Sequence, residues 1–293
     1  MRLIHLTDPH LSSLDGRSFW NVRGKRRSGY LSWHRKRRHV HRREVLERLT
    51  DSINAQKPDL ILLTGDLVHI GLDHEMAEAA SWLKQLGPPE NVVFVPGNHD
   101  NYARDSLEAM YSHWNDYLPG TWQPDMNYTT GYPLVRELGN IKLAGVNSSC
   151  ITPVFSARGE LGTEQRQRLT RELEPKTGEN PFRCLLIHHP PFPGMTRRRK
   201  ALRDDRELQE LLTKQPVELL LHGHVHRNRE DRLNGVRSYC TASASSVRSA
   251  SYRIFDLEQE DPAWRCRMRL MSISGATESE PVFKLAGETS WQV

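Results

Sequence analysis

Short runs of apolar residues alternate with helix-type patterns along most of this chain, and the alternation limits the folds that it can adopt. The apolar runs predict strands at residues 2–6, 60–64, 92–95, 141–146, 184–187 and 217–221. Several runs are apolar throughout, as expected for strands that are covered on both faces. Because the strands alternate with helical segments, the sequence predicts an α/β fold.

Apolar residues at spacings of three and four predict helices over 45–53 and 76–83, and a third over 163–173 with Thr163 as its N-cap. Segments 238–242, 252–257 and 264–271 have the pattern of antiparallel strands. Residues 272–293 show no clear periodicity. We therefore predict one domain over 1–271, with a basic aromatic insert at about 16–43, and a tail at 272–293.

The composition is that of a globular protein without a membrane span. Of 293 residues, 37% are hydrophobic, and no run approaches the roughly 18 apolar residues of a span. Asp8 and His10 interrupt the N-terminal apolar residues before a signal peptide could form, which predicts a cytoplasmic protein. The four cysteines have no CxxC spacing and are predicted to be buried thiols.

Five polar motifs closely follow predicted strands. They are Asp8-Pro9-His10, Gly65-Asp66, Gly97-Asn98-His99-Asp100, His188-His189-Pro190 and Gly223-His224-Val225-His226. Because ligands collect at the carboxyl ends of strands in α/β sheets, these loops are expected to meet at one edge. Taken singly, each motif has a structural explanation, such as a turn or a helix cap. Together and in this order they indicate metal chemistry.

The donor types narrow the choice of metal. A mixture of carboxylate, amide and imidazole groups suits manganese, iron or zinc better than calcium or magnesium alone. Two ions need a bridging ligand, and Asp66 is the natural carboxylate for that position. Gly65, Gly97 and Gly223 are expected to allow the backbone to approach the ions closely. The sequence therefore predicts a site for two divalent ions.

In these motifs the chain resembles the calcineurin-like metallophosphoesterases, whose pattern is DxH, GDxx, GNHD or GNHE, H and GHxH. The resemblance covers about residues 3–227. It implies a four-layer αββα sandwich, with two central mixed sheets flanked by helices, and a dinuclear metal site. The implied ligands are Asp8, His10 and His226 for the first ion, Asn98, His188 and His224 for the second, and Asp66 as the bridge.

The resemblance also implies roles for the remaining motif residues. His99 would contact the phosphate and protonate the leaving oxygen, and His189 is the weaker ligand of its pair. Asp100 would cap the following helix or support His99. The implied enzyme is a phosphodiester hydrolase that uses a hydroxide bridging the two ions. The serines between 243 and 251 are interpreted as a surface loop, since neither a GxSxG motif nor a P-loop occurs.

Positive charge is concentrated in the insert. Eleven of the 41 Lys and Arg residues lie within 17–43, which contains no Asp or Glu. Three interpretations stay open: a solvated loop, a rim that contacts a membrane, and a nucleic-acid groove. The membrane interpretation assigns the rim to six residues, namely Trp20, Arg23, Arg26, Arg27, Tyr30 and Trp33.

A second resemblance bears on the substrate. Lys25-Arg26, Gly29-Tyr30, Trp33 and Arg37-Arg38 resemble the phospholipase C-like metallophosphoesterases of the PlcP type. This implies a glycerophospholipid substrate, release of diacylglycerol and peripheral contact with the inner face of an anionic membrane. No stable nucleic-acid partner is expected. The alternatives are a 3′,5′-cyclic-nucleotide phosphodiesterase, a pyrophosphohydrolase of lipid A synthesis, and a non-catalytic membrane or nucleic-acid adaptor.

Overall fold

Two six-stranded mixed sheets form the centre of the fold in the computed structural model, which describes residues 1–11, 13–175, 180–233, 235–260, 263–274 and 281–293. In chain order, the strands are β1 (Arg2–Leu6), β2 (Leu60–Leu63), β3 (Val92–Phe94), β4 (Leu134–Leu138), β5 (Ile141–Gly145), β6 (Phe182–Leu186), β7 (Leu219–His222), β8 (Arg229–Leu233), β9 (Val236–Cys240), β10 (Ser251–Glu260), β11 (Ala263–Ser274) and β12 (Val282–Gln292). The first sheet has the order β12-β11-β10-β1-β2-β3 and the second has the order β4-β5-β6-β7-β9-β8.

The described residues form six α-helices, and all except the first cover the outer faces of the two sheets. They are α1 (Lys25–Arg35), α2 (Arg43–Ala55), α3 (Asp73–Leu86), α4 (Ser106–Trp114), α5 (Thr163–Leu173) and α6 (Asp205–Lys214). Residues of α2, α3 and α4 pack on the first sheet, and residues of α5 and α6 pack on the second. Between the sheets lies an apolar layer that includes Leu62, Leu143 and Phe255. The predicted four-layer αββα sandwich is confirmed.

Parallel pairing places the functional motifs on a common edge. β1 pairs in parallel with β2, and β2 with β3. In the second sheet, β5, β6, β7 and β9 are successive parallel neighbours. Because parallel strands end on the same side of a sheet, the loops after β1, β2, β3, β6 and β7 can meet there.

Some details differ from the sequence predictions. β9 does not form an antiparallel ladder with β10; it joins the second sheet, parallel to β7 and antiparallel to β8. Thr163 begins α5 rather than capping it, because Gly162 occupies the N-cap position. Residues 272–274 and 282–292 continue the first sheet, as β11 extends to Ser274 and pairs with β12.

The basic insert is a packed unit rather than an open loop. Trp33 and Val22 form a separate apolar cluster with Ile70 and Tyr102. The fit is tight, since a Cβ added at Gly29 would lie 2.5 Å from Ile70 Cγ2. The insert is therefore anchored to the loop that follows β2, beside the functional edge.

Two expectations from composition can be compared with the structure. All four cysteines are free and buried, which confirms the predicted thiols. Among the helices of the described residues, none is long and apolar enough to cross a bilayer.

Candidate metal centre

The side chains predicted as metal ligands meet at the carboxyl ends of the strands. Asp66 belongs to two groups whose potential ligand atoms lie within 4.8 Å of one another. The first group is Asp8, His10, Asp66 and His226, and the second is Asp66, His188 and His224. Asn98 is also buried and lines the same cavity as His226. The structure thus brings together residues from five separate loops.

Asp66 has the geometry of a shared carboxylate. Its Oδ2 lies 3.8 Å from His10 Nε2 and 3.4 Å from His188 Nε2. Its Oδ1 accepts a hydrogen bond from the backbone N–H of His99 at 2.7 Å. Although burial opposes ionisation, His188 and His99 hold the pKa of Asp66 well below its usual range. Asp66 is therefore a carboxylate facing both groups.

Hydrogen bonds fix the orientation of the imidazoles. His10 Nδ1 lies 2.9 Å from the carbonyl of Val68, and His188 Nδ1 lies 2.6 Å from the carbonyl of Thr64. Because a carbonyl only accepts, both Nδ1 atoms carry protons, so the neutral form of each ring presents the lone pair of Nε2 to the cluster. This is the arrangement that metal-ligating histidines adopt in proteins.

Buried polar atoms that lack a hydrogen-bond partner indicate whether metal cations fit this site. Among the described residues, Asp8 Oδ1, Asn98 Oδ1, His188 Nε2 and His224 Nε2 are buried without a hydrogen-bond partner. Leaving such an atom unsatisfied costs about 1–3 kcal/mol. Asp8 Oδ1 lies 3.0 Å from His226 Nε2, but the two atoms lack hydrogen-bond geometry. The donor set therefore fits divalent cations, which would satisfy all four atoms at once.

The backbone is strained at the same residues. Asp8, His10, Asp66, His224 and His226 all have φ between 40° and 69°. A non-glycine residue in the left-handed region costs about 1–3 kcal/mol and typically persists where function requires it. Hydrogen bonds from the surrounding residues must therefore hold these loops in their strained conformation.

Asp100 supplies part of that support. It neither caps the following helix nor contacts the His99 ring; its carboxylate accepts hydrogen bonds from the backbone N–H groups of Asp66, Leu67 and Gly97, at 2.7–2.8 Å. Asp100 thus joins the loop after β2 to the loop after β3.

The motif glycines lie where neighbouring loops pass close to one another. A Cβ at Gly65 or at Gly97 would collide with the backbone of the other loop. A Cβ at Gly223 would lie 2.7 Å from Asp8 Oδ2. These three positions accept only glycine while the loops keep their spacing.

The cluster opens into a cationic cavity of about 660 Å³. Its lining includes Lys25, Lys36, Arg37, Arg199 and Lys200, and no carboxylate residue. An opening with this charge attracts anions and raises their local concentration. The cavity therefore suits a substrate that carries a phosphate.

Arg37 is the basic residue nearest to the predicted acid. Its Nη1 lies 3.1 Å from His99 Nδ1, which also contacts the carbonyl of His69. Because the carbonyl can only accept, Nδ1 carries a proton and offers Arg37 no lone pair. Within the described residues, no carboxylate lies within 4.0 Å of a guanidinium nitrogen of Arg37. Arg37 is thus available to an anionic ligand.

Lys25 gives the cavity a pH-dependent charge. Its Nζ donates to Thr152 Oγ1 at 2.8 Å and lies 4.4 Å from the centre of the Tyr102 ring. Burial lowers the pKa of Lys25 to about 8, although Cys150 and Asp66 oppose the shift. The cavity is therefore expected to lose one positive charge as the pH rises through about 8.

That loss predicts a pH effect on substrate binding. The KM for bis(p-nitrophenyl) phosphate should rise between pH 7 and pH 9, and Lys25→Arg should move this rise to higher pH because a guanidinium stays charged. Lys36→Arg, at an exposed position on the same cavity, is the matched control. Identical KM profiles for Lys25→Arg and the unmodified protein would contradict the assignment.

The six predicted rim residues fall into two groups. Trp33 is only 3% exposed and belongs to the insert's apolar cluster, so its assignment to the rim is wrong. Arg26 donates to the carbonyls of Ile70 and Gly71, and Tyr30 donates to the carbonyl of Arg17. These three residues stabilise the insert. Trp20, Arg23 and Arg27 are exposed, and Arg27 also donates to the carbonyl of Val22 at 3.0 Å.

Other motif residues have structural roles. His189 uses both ring nitrogens within the chain, Nδ1 at 2.8 Å from Ser148 Oγ and Nε2 at 3.3 Å from the carbonyl of Ala157. Its weaker ranking as a ligand agrees with this geometry. The interpretation of the serines as a surface loop is wrong for Ser243, Ser245, Ser246 and Ser251, which are all buried.

Sequence reasoning missed Arg37, His41 and Phe155, which all line the cavity. Both Arg37 and His41 lie in the charged run; Arg37 enters only the second resemblance, without a role in the site, and His41 matches no motif. Phe155 was identifiable only as an isolated aromatic residue in a long segment between strands.

A family profile described as calcineurin-like phosphoesterase matches residues 1–228. The chain belongs to the calcineurin-like phosphoesterases. Members of this family use two divalent metal ions, and the two groups around Asp66 are the corresponding clusters here. This calcineurin-like phosphoesterase is a metal-dependent hydrolase that acts on phosphodiesters.

Two curated relatives illustrate the range of substrates. The chain is 24% identical over 273 residues to the 3′,5′-cyclic adenosine monophosphate phosphodiesterase CpdA of Haemophilus influenzae, covering 90% of this chain and 84% of the relative. It is 31% identical over 175 residues to the probable glycerophosphodiester phosphodiesterase GpdQ of Arcobacter nitrofigilis, covering 58% of each.

Solved structures share the fold. A dimetal phosphatase from Danio rerio superposes with a TM-score of 0.58 at 13% identity, over 98% of this chain and 99% of the other. A purple acid phosphatase from yellow lupin gives 0.56 at 14% identity, over 99% of this chain and 53% of the other. At such identities the likeness shows the fold of this calcineurin-like phosphoesterase alone.

Proposed function

We propose that this phosphoesterase hydrolyses the headgroup phosphodiester of glycerophospholipids at an anionic membrane surface, the inner face of the cytoplasmic membrane. Water adds to phosphorus and the bond to the diacylglycerol oxygen breaks, which releases diacylglycerol and a phosphorylated headgroup. The observation that carries this proposal is an exposed apolar loop at the opening of the cationic cavity.

Phe155 is the outermost residue of that loop. It lines the cavity opening, is 78% exposed and has φ of 65°, which is rare for an aromatic residue. Ile151 and Val154 in the same loop are 47% and 45% exposed. Such a strained, solvent-facing aromatic side chain supports a binding role rather than a packing role.

Basic elements flank the apolar loop on both sides. Lys25 at the start of α1 donates to Thr152, and the backbone N–H of Ala157 donates to the carbonyl of Arg199 at 2.9 Å. Apolar side chains flanked by cations are typical of surfaces that insert shallowly into anionic bilayers. Each basic residue close to such a surface contributes on the order of 1 kcal/mol.

The proposed metal ligands are those implied by the motifs. Asp8, His10 and His226 would hold one ion, Asn98, His188 and His224 the other, and Asp66 both. Two cations bound there would stabilise charge on the phosphoryl group and lower the pKa of the attacking water. Arg37 and Lys200 would bind the phosphate oxygens, and His99 would protonate the departing diacylglycerol oxygen.

A cyclic-nucleotide phosphodiesterase is the second candidate. It is favoured by the relative from Haemophilus influenzae, a 3′,5′-cyclic adenosine monophosphate phosphodiesterase whose match covers 90% of this chain. A substrate comparison separates the two candidates. We expect purified protein loaded with manganese, iron or zinc to hydrolyse vesicles of phosphatidylglycerol, phosphatidylethanolamine or phosphatidylcholine faster than 3′,5′-cyclic AMP. Faster turnover of the cyclic nucleotide would favour the second candidate.

The apolar loop gives a separate test of membrane contact. The double variant Ile151→Ser and Val154→Ser should lower co-sedimentation with phosphatidylglycerol vesicles by about tenfold, since part of the burial energy of two aliphatic side chains is lost. Turnover of bis(p-nitrophenyl) phosphate should not change. The control, Val282→Ser with Leu285→Ser, alters exposed apolar residues on β12. Equal vesicle binding by all three proteins would refute the membrane contact.

A further inference from the structure

A third histidine faces the position assigned to the ion of Asp8, His10 and His226. A ring nitrogen of His41 lies within 4.8 Å of ring nitrogens of His10 and His226. The ring centroids of His41 and His10 are 4.6 Å apart. His41 lies at the end of the basic insert and lines the cavity, so its ring is accessible from the substrate side.

Hydrogen bonds on the other side of the ring identify the free nitrogen. His41 Nδ1 lies 2.9 Å from Ser245 Oγ and 3.2 Å from Ser243 Oγ. Ser243 donates its single hydroxyl proton to the carbonyl of Asp8 at 2.6 Å, so it can only accept from His41. Nδ1 therefore carries the proton, and Nε2 has an unshared lone pair.

That lone pair limits what His41 can do. A neutral Nε2 cannot donate to a phosphate oxygen, but it can bind a cation. One ring nitrogen of His41 lies within 4.8 Å of a ring nitrogen of His10. The Nε2 atom of His10 presents a lone pair because its Nδ1 is bonded to the carbonyl of Val68. Ring nitrogens of His10, His41 and His226 at this spacing could hold one cation between them.

The backbone holds His41 in place. His41 forms a β-bridge with Ser246, and the N–H of Arg42 donates to the carbonyl of Ser245 at 3.0 Å. The N–H of Val247 donates to the carbonyl of Val40 at 2.9 Å. The ring is thus fixed by the same serine loop that binds Nδ1, as metal ligands usually are.

We propose that His41 is an additional ligand of the ion held by Asp8, His10 and His226. The assignment rests on the proposed ligand set, and it adds an imidazole that the five motifs do not contain. Because imidazole suits zinc and iron better than magnesium, His41 should make this position the more selective of the two for those ions.

The test measures metal affinity rather than turnover. The two zinc dissociation constants of purified protein are obtained by competition with a chelator, for the unmodified protein, His41→Ala and the control His39→Ala. His39 is an exposed histidine on the same insert. We expect His41→Ala to weaken one constant by roughly tenfold or more and His39→Ala to weaken neither. Unchanged constants in His41→Ala would overturn the proposal, whatever its activity.

Two further variants keep the result interpretable. Ser243→Ala with Ser245→Ala retains His41 but removes its orienting hydrogen bonds, so the same constant should weaken to a smaller extent. If His41→Ala does not fold, unchanged constants in this serine variant overturn the proposal. Asp66→Ala, measured in parallel, distinguishes a failure of the proposed ligand set from a failure of the His41 assignment. If it retains both ions, the ligand set itself is wrong; if it loses them while His41→Ala binds normally, only the role of His41 is wrong.

Discussion

Replacing Asp66 by alanine should remove both metal ions and abolish turnover of bis(p-nitrophenyl) phosphate, while the chain still folds. Asp66 Oδ2 faces His10 and His188, so its loss removes the one carboxylate shared by both groups. With the metals absent, we expect activity to fall by on the order of 10³-fold or more, because charge stabilisation and nucleophile activation are lost together.

Elemental analysis measures how many metal ions remain bound, and circular dichroism shows whether the variant still folds. Asp51→Ala changes an exposed aspartate on α2 and should keep two ions and full activity. An Asp66→Ala protein with the activity of the unmodified enzyme would refute the bridging assignment.

His99→Ala should retain both ions and lose rate chiefly with poor leaving groups. His99 lines the cavity, and its Nδ1 proton is directed to the carbonyl of His69, which orients Nε2 as the catalytic nitrogen. General acid catalysis typically contributes about 10²–10⁴-fold, so diesters with alkoxide leaving groups should lose about that much.

The leaving group supplies an internal control. Bis(p-nitrophenyl) phosphate releases a stable phenolate that needs little protonation, so its turnover should fall much less in His99→Ala. Burial and Arg37 lower the pKa of His99 in the free protein, so His99 would take up a proton only when a bound anion offsets Arg37. An equal loss with both classes of diester would show that His99 binds substrate rather than protonating the leaving oxygen.

The sheets and the metal motifs could be predicted because their signals are local. Leu60 to Leu63 is a continuous apolar run, and Asp66 follows it directly. Asp8 lies two residues after β1, and His224 lies two residues after β7. A strand end fixes where its motif lies, so the topology alone brings these side chains together.

The insert could not be predicted because its order comes from distant contacts. Within α1, Gly29 and Trp33 are the buried residues, and they pack on Ile70 and Tyr102 far along the chain. From the sequence alone, the insert is interpreted as a charged loop. Arg37 and His41 stayed hidden for this reason, since their roles depend on where the folded insert places them.

The edge strands β8 and β12 were missed for another reason. β12 is exposed or half-buried along its whole length, so it lacks the apolar alternation of a covered strand. β8 carries four charged residues in five and pairs only with β9. Their pairing is set by neighbouring strands rather than by their own hydrophobic pattern.

The most direct test of the central claim is anomalous diffraction at the zinc edge from crystals of the zinc-loaded protein. We expect two peaks, each about 2.0–2.2 Å from an oxygen of Asp66, with His10 and His226 beside one peak and His188 and His224 beside the other. A single peak, or two peaks that do not share Asp66, would contradict the two-metal centre described for this chain.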